Sequence, residues 1–333
     1  MADWERDGRY GSWFKRRTRL AQALTGFVAV AAVVGGVFAF LPRHEVVATA
    51  AASPHPRTMQ RDLVPVPALG VPMPGPLTYG GGGVEVTPKV YLVFWGWSNT
   101  ADPVAALMKN FVGAIGGTAW AGVSTQYYEN GGAGQLHVTN PGQQLAGVWF
   151  DNTNAIHDNL SAQDIGNEAL RAIHRFGITD FANSDIVVAQ PQNANDAGFN
   201  QGQYCAWHDW STNTGYQFPI GTPAFAFTSM PYVLNAGAGC GKDFVNAAPG
   251  GDVDGFTIVL GHEIEEAVTD PGGGASTNLG WLDFNGEENG DKCAWVDIGP
   301  GGVLNITGND GKTYPVQGLW DNSQLLGLGY CTN

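Results

Sequence analysis

The chain has 333 residues, 48 of them Gly and 11 Trp, and a formal net charge of −14. From residue 51 onward, nine Lys and Arg stand against 26 Asp and Glu, which gives this part of the chain a net charge of −17. Such an acidic surface argues against nucleic acid and anionic lipid as partners, because both are negatively charged. The many glycines and tryptophans are typical of a loop-rich globular domain and not of a helical bundle.

The N-terminal part has the layout of an export signal. A basic run at 15–19 precedes an almost unbroken apolar segment at 21–41. A segment of about 20 residues is long enough to span a membrane, and small residues at 48–53 also offer sites for cleavage. We therefore expect 1–50 to be a signal peptide or a signal anchor. The rest of the chain is then secreted, or anchored to the cell membrane by an N-terminal helix.

Proline and glycine enrichment at 51–86 predicts an extended linker, followed by a single extracellular domain at 87–333. In the domain, the continuous apolar run at 90–96 predicts a buried central strand. Further predicted elements follow in chain order: a helix from Asp102, an amphipathic helix from Ser161 to Gly177, and strands at 136–139, 185–189 and 224–227. This mixture of strands and helices predicts an α/β (α+β) domain.

Four cysteines lie in the exported part of the chain: Cys205, Cys240, Cys293 and Cys331. An even number in an exported protein predicts two disulfides, with three possible connectivities. We expect Cys205 to pair with Cys240 and Cys293 with Cys331, because each bond then closes a loop within one region. The alternative is a thiolate metal site, but the C-x-x-C spacing of such sites is missing.

The strongest chemical pattern follows an apolar run at 256–260 and ends at Pro271. It predicts one helix, from Asp252 or Asp254 as N-cap to Thr269. Apolar residues at helical spacing would face a core, and the acidic residues would lie on the other sides of the helix.

His262 and Glu266 are four residues apart on this helix, and side chains at that spacing can bind the same metal ion. Glu263 has the position at which His-Glu-x-x-His metallopeptidases keep their general base. Because Glu266 replaces the second His, this motif is less specific than theirs. The alternative is a solvated acidic helix face. In both interpretations we expect Glu265 to point towards solvent.

Ten acidic residues lie within 252–291, with no Lys or Arg among them. Such a concentration of one charge requires a cation or protons to neutralise it. Glu288, 22 residues after Glu266, is the preferred third metal ligand, and Asp270 is its competitor. The expected ion is Zn²⁺. Ca²⁺ is a second candidate, for the loop at 283–291, which combines oxygen ligands with a glycine turn.

His208 lies in an aromatic loop at 204–210, close to Cys205. Loops on rigid scaffolds often carry function, so His208 is a candidate catalytic residue that binds substrate or stabilises an oxyanion. A packed core histidine is the alternative. The other histidines lie in the leader, the linker or predicted surface elements, and we expect them to be solvated or structural.

Five motifs occur in order along the chain: Val90-Tyr91-Leu92-Val93-Phe94-Trp95-Gly96, Gln126-Tyr127-Tyr128, the segment 202–210, His262-Glu263-x-x-Glu266-Ala267-Val268-Thr269-Asp270-Pro271, and Glu288-x-Gly290-Asp291-x-Cys293. Together they resemble the phosphate-induced (exordium-like) family of exported proteins and its bacterial secreted relatives. The resemblance spans most of 88–333. It implies a zincin-like α/β fold with a mixed twisted sheet, an active-site helix and a loop-rich, disulfide-tied C-terminal part. It implies no established catalytic activity.

The sequence leads to three functional hypotheses. The first is a secreted or membrane-tethered zinc-dependent metallohydrolase, a peptidase that acts on peptide or cell-surface substrates. In this hypothesis His262, Glu266 and Glu288 hold the ion, and Glu263 is the general base. The second is a non-catalytic extracellular binding or signalling protein with a structural metal site. The third is a glycosidase that uses paired carboxylates such as Glu263 and Asp291 without a metal.

Overall fold

The computed structural model describes residues 75–131, 134–213, 215–272, 278–296 and 301–333. The predicted leader at 1–50, with its apolar segment at 21–41, and the linker up to residue 74 lie outside the described residues. Within the described residues, no helix is long and apolar enough to cross a membrane.

The strands of the described residues are short. In chain order they are β1 (Thr78–Tyr79), β2 (Lys89–Trp95), β3 (Tyr128–Gly131), β4 (Gly134–His137), β5 (Leu145–Asp151), β6 (Ser184–Ala189), β7 (Trp207–Trp210), β8 (Ala226–Met230), β9 (Trp281–Leu282), β10 (Leu304–Thr307), β11 (Thr313–Val316), β12 (Leu319–Asp321) and β13 (Tyr330–Thr332). The α-helices are α1 (Pro103–Ile115), α2 (Ala119–Gly122), α3 (Ala162–Phe176), α4 (Ala197–Asn200) and α5 (Asp254–Thr269).

A five-stranded sheet in the order β5-β2-β6-β8-β7 forms the centre of the domain. Four strands are parallel, and β7 pairs antiparallel with β8 at one edge. β2 lies between β5 and β6, and most of its residues are buried, which explains why its sequence is a continuous apolar run. The predicted central strand and the mixed α/β class with a mixed sheet are confirmed.

Helices cover both faces of this sheet. Val93 and Trp95 point to the face that α3 covers, while Leu92 and Phe94 point to the opposite face, where α1 and α5 pack. This division follows from the alternation of side chains along a strand. The sheet therefore separates two apolar clusters, and α5 belongs to the larger one.

α3 forms where the sequence predicts it. Ser161 and Asp164 make a capping box at its N-terminus, and Gly177 ends it with a φ of 66°. The buried side of the helix contains Ile165, Ala169 and other small or apolar residues.

α5 ends at Thr269, as predicted, but it is buried on almost every side. Of its 16 residues, only His262 is partly exposed. It packs against α1, β7 and β11. The prediction that Glu265 points towards solvent is therefore wrong, and the alternative of a solvated acidic face does not hold either. Glu265 is only 1% exposed, and its carboxylate accepts a hydrogen bond from Ser124 Oγ at 2.5 Å. Asp254 does not cap α5 either, because its carboxylate accepts the backbone N–H groups of residues 245 and 246.

Both predicted disulfides are present, Cys205–Cys240 and Cys293–Cys331. They indicate that this part of the chain belongs in an oxidising environment outside the cytoplasm. The second bond ties a C-terminal part whose described residues form short strands and turns, as predicted.

Candidate metal centre

Seven ionisable residues meet beside the edge strand β7. They come from β7, from α5 and its last turn, and from the loop at 288–291: His208, His262, Glu263, Glu266, Asp270, Glu288 and Asp291. We call them the His/carboxylate cluster. All six predicted site residues belong to it, although they come from separate parts of the sequence. Asp291 is the seventh member, and the sequence did not single it out as a ligand.

One part of the cluster surrounds His262. Its Nε2 atom lies 3.0 Å from Glu266 Oε1 and 3.8 Å from Asp291 Oδ1. One donor atom from each of these three residues lies within 4.8 Å of the other two, so the three could hold one metal ion. The backbone N–H of Asp291 also donates to Glu266 Oε1 at 2.8 Å, which holds the loop against the helix.

Gln317 sets the orientation of the His262 ring. Its amide nitrogen donates to the carbonyl of Gly290 at 2.7 Å, so its amide oxygen must face His262 Nδ1, at 3.1 Å. Since that oxygen can only accept, Nδ1 carries a proton, so the lone pair of the neutral ring is on Nε2, where it can bind a metal. Gln317 is 2% exposed and follows β11, 55 residues from His262.

Gly290 lets the loop approach the helix closely. A Cβ atom at this position would lie 2.9 Å from Glu266 Oε1 and 3.0 Å from His262 Nδ1, so both side chains would have to move. The backbone φ of Gly290 is −75°, so space and not backbone conformation favours a glycine. The residue before Asp291 is thus part of the wall of the site.

The other part of the cluster surrounds His208. Its Nδ1 atom lies 3.3 Å from Glu263 Oε2 and 3.7 Å from Glu266 Oε2. Its Nε2 atom lies 3.3 Å from Glu288 Oε1 and 3.0 Å from the backbone oxygen of Asp270. His208 is therefore a buried histidine, but its neighbours are carboxylates and a carbonyl oxygen instead of an apolar core.

Burial and mutual repulsion keep protons on this cluster. Burial, with the charge of Asp291 as a second cause, raises the pKa of Glu266 well above its usual value. Burial, together with Glu288, raises the pKa of Asp270 to about 8. Burial alone would lower the pKa of His262, but the neighbouring Glu266 outweighs it and raises that pKa to about 10. A divalent ion that binds here would displace protons, as metals do at carboxylate and histidine ligands.

Three further buried carboxyl groups lie around the cluster. Burial raises the pKa of Asp185 to about 7, and Thr228 Oγ1 contacts both of its carboxylate oxygens at 3.0 and 3.1 Å. Burial also raises the pKa of Glu85 well above its usual value and that of Glu265 to about 8. Neither carboxylate oxygen of Glu85 has a hydrogen-bond partner. Glu85 and Asp185 could not be found from the sequence, because they lie outside the acidic segment.

The cluster is open on one side only. The side chains of His208, Glu263, Glu266 and Glu288 are between 3 and 6% exposed. His262 is 15% and Asp291 28% exposed, so a solvent molecule or substrate would approach over these two residues. A surface cavity of about 410 Å³ lies elsewhere, between α3 and the loop at 219–223, and none of its lining residues belongs to the cluster.

The predicted calcium loop has a different arrangement. Asp283 Oδ1 accepts the backbone N–H groups of Asn285 and Glu287, and its Oδ2 accepts from Lys292 Nζ at 2.9 Å. The Lys292 ammonium therefore neutralises this carboxylate. Calcium at this loop stays a prediction from sequence, and the geometry favours the His/carboxylate cluster as the cation site.

Comparisons with models of protein families, with curated proteins and with solved structures give no significant match. The resemblance to the exordium-like family therefore stays a prediction. The function is inferred below from the geometry of the cluster.

Proposed function

We propose that the protein is an extracytoplasmic, metal-dependent hydrolase that acts on peptide or other extracellular substrates. The convergence of His262 Nε2, Glu266 Oε1 and Asp291 Oδ1 beside an open side of the cluster carries this proposal. Whether the chain is released or stays tethered to the membrane depends on the N-terminal 50 residues. The resemblance to the exordium-like family is part of the same proposal.

The donor atoms fit a Zn²⁺ ion. Two ligands bound tetrahedrally at about 2 Å lie roughly 3.3 Å apart. The distances from His262 Nε2 to Glu266 and Asp291, 3.0 and 3.8 Å, lie on either side of that value. Three protein ligands would leave the fourth position for water, which is the arrangement of catalytic zinc sites. Asp291 thereby replaces Glu288 as our third ligand.

A zinc ion at these ligands would lower the pKa of a water molecule towards neutrality. Glu263, one residue after His262, is the group that would accept the proton of this water. His208 contacts Glu263 Oε2 at 3.3 Å and fixes the orientation of that carboxylate, which makes His208 a positioning residue. Two anionic ligands neutralise more of the ion's charge than two imidazoles would, so we expect slow hydrolysis.

The surroundings of α5 support a zincin-like arrangement. The helix with the His-Glu-x-x-Glu motif lies beside the antiparallel edge strand β7 of a mixed sheet. The third ligand comes from a loop that follows the helix in sequence and is anchored two residues later by Cys293–Cys331.

A structural metal site in a non-catalytic binding protein is the second candidate. The small exposure of His208, Glu263 and Glu266, 3 to 6% of each side chain, favours it, because a substrate has little room to reach them. In that case the ion would hold the 288–291 loop against α5.

The substitution Glu263→Gln separates the two candidates. It keeps size and hydrogen bonding but cannot accept a proton, so a hydrolase should lose about 100-fold or more of its rate. The ion at His262, Glu266 and Asp291 should stay bound, and the Tm of the full-length protein should stay near that of the wild type. The measurement is cleavage of a peptide library with and without chelator, alongside metal analysis. The matched control is Asp252→Asn, which removes an exposed carboxylate that pairs with Lys242.

Full metal-dependent hydrolysis by Glu263→Gln would contradict the role of Glu263 as base. A tightly bound ion without cleavage of any substrate by wild type or variant would instead support the structural metal site.

A further inference from the structure

The two carboxylate oxygens of Glu266 face two different histidines. Oε1 lies 3.0 Å from His262 Nε2, and Oε2 lies 3.7 Å from His208 Nδ1. Glu266 is 3% exposed, so both oxygens are enclosed by protein. A carboxylate in this position can serve two cations at once, one on each oxygen.

The second group of donor atoms is as compact as the first. One donor atom each from His208, Glu263 and Glu266 lies within 4.8 Å of the others. His208 Nε2 lies 3.0 Å from the backbone oxygen of Asp270, which can only accept a hydrogen bond, so Nε2 carries a proton. In neutral His208 the lone pair of Nδ1 then faces two carboxylate oxygens. A proton on Nδ1 or a divalent ion between these atoms relieves the repulsion, and an ion that binds here would displace that proton.

Glu288 helps to fix the opposite side of the His208 ring. Its Oε1 atom lies 3.3 Å from His208 Nε2, the nitrogen that carries the proton. Glu288 is 5% exposed, and the backbone oxygen of Asp270 lies 3.0 Å from the same nitrogen. These two oxygens orient the ring so that Nδ1 faces Glu263 and Glu266.

The formal charges of the cluster leave room for two ions. The carboxylates of Glu263, Glu266, Asp270, Glu288 and Asp291 together carry five negative charges when they are ionised. One divalent ion leaves three of these charges without compensation, and two divalent ions leave one. In two-metal sites, ions that share ligands lie about 3.5–4 Å apart.

We infer that His208, Glu263 and Glu266 form a second divalent-cation site, which shares Glu266 with the site at His262 and whose occupation inhibits hydrolysis. The inhibitory role rests on the proposed function, because an ion bound to Glu263 occupies the carboxylate that acts as general base. The site itself does not depend on that function. Ions that accept both nitrogen and oxygen ligands, such as Zn²⁺ and Mn²⁺, suit it.

The test is a titration of the full-length protein with Mn²⁺, followed by metal analysis and electron paramagnetic resonance. We expect two ions per chain and, at full occupancy, a spin-coupled signal from the pair. His208→Gln should bind one ion and lose the coupled signal. The control His174→Gln, which changes an exposed histidine on α3, should still bind two ions. In the hydrolysis assay, filling of the second site should lower the wild-type rate by about 100-fold, as expected for loss of the base.

The wild-type measurement alone decides the matter if His208→Gln does not fold. One ion per chain at saturation, or two ions without spin coupling, would overturn the second site. A hydrolysis rate that rises with the second ion would overturn its inhibitory role. Hydrolysis with a single ion would leave the proposed function intact while this inference fails. Two coupled ions in a protein that cleaves nothing would support the second site and reject the hydrolase.

Discussion

The helices α3 and α5 have similar lengths, 15 and 16 residues, and pack on opposite faces of the same sheet. α3 keeps one side in solvent, and its own residues cap both of its ends. α5 has no side-chain cap and carries three glutamates that are at most 5% exposed. α3 is therefore a helix that neighbouring residues in the sequence can stabilise. α5 depends on groups far away in the chain, and its charges stay in the interior only while those groups are present.

The largest expected effect is loss of the ion from α5, because the cluster of carboxylates then repels itself. A ligand present at 1,000 times its Kd stabilises a protein by about 4 kcal/mol. Chelation should therefore lower the Tm of the wild type. His262→Ala should start from a lower Tm and should respond less to chelator than the wild type. Calorimetry with and without chelator measures both, with His174→Gln on α3 as the control that behaves like the wild type. An equal response of His262→Ala would locate the ion elsewhere.

A somewhat smaller effect is the pH dependence of stability that comes from Glu168, the buried carboxylate of α3. Burial raises its pKa from 4.5 to about 7, although Arg171 opposes this shift. The folded protein thus holds this proton more tightly than the unfolded chain. The resulting stabilisation is complete below about pH 4.5 and disappears as the pH rises to about 7. The loss should be on the order of 3 kcal/mol.

Glu168→Gln cannot ionise and should lack this part of the pH dependence. Denaturant unfolding at about pH 4 and about pH 8 measures it, and Asp252→Asn, an exposed acid, should follow the wild type. If Glu168→Gln loses as much stability with rising pH as the wild type, another group is responsible.

The third effect tests the long-range support of α5 through Gln317. Gln317→Leu removes the acceptor for His262 Nδ1, and loss of such an outer partner typically weakens metal binding by about 10- to 100-fold. Gln317→Glu keeps an acceptor for His262 but loses the hydrogen bond to the Gly290 carbonyl, so it should bind more tightly than Gln317→Leu. Competition for Zn²⁺ with a chelator dye gives the affinities. Unchanged affinity in Gln317→Leu would mean that the ring of His262 is oriented by other contacts.

The smallest expected effect is the loss of stability when the N-cap of α3 is removed. Ser161→Ala removes the side-chain acceptor for Asp164 N–H and should cost about 1 kcal/mol of stability. Metal content should not change, because α3 lies across the sheet from the cluster. Chemical denaturation measures the difference, with the exposed Ser323→Ala as a control within about 0.5 kcal/mol of the wild type. A change in the metal affinity of Ser161→Ala would contradict the claim that the cap of α3 is independent of the cluster beside α5.

Features stabilised by residues close together in the chain, such as α3, could be predicted from the sequence. Features of α5 that depend on distant residues could not. The bounds of α3 are set by Ser161, Asp164 and Gly177, which are close together in the chain, so the sequence pattern locates them. The strand β2 is equally clear, since a buried parallel strand is apolar throughout. Among the acidic residues of α5, Glu265 is the one that the helical pattern predicts to face solvent, as most helical glutamates do. Ser124, which compensates Glu265, lies 141 residues away and forms no motif with it.

The cluster was predicted in part. The spacing of His262, Glu263 and Glu266 on one helix brings their side chains together, and the acidic run up to residue 291 indicated where further ligands would come from. The choice among Asp270, Glu288 and Asp291 depends on how the loop folds back onto α5, which spacing does not determine. Nothing in the sequence indicates that Gln317 orients His262, because an uncharged amide in a C-terminal segment looks like an ordinary polar residue.

The positions of the two disulfides affect when, after synthesis of the chain, the His/carboxylate cluster becomes ordered. Cys205 precedes His208 by three residues, and Cys293 follows Asp291 by two. Each crosslink thus pins a segment that contributes to the centre. We expect both segments to be held firmly in place only once the chain has been oxidised, because the reduced chain lacks these two crosslinks. If the protein is the hydrolase proposed above, oxidation would also be the step that activates it.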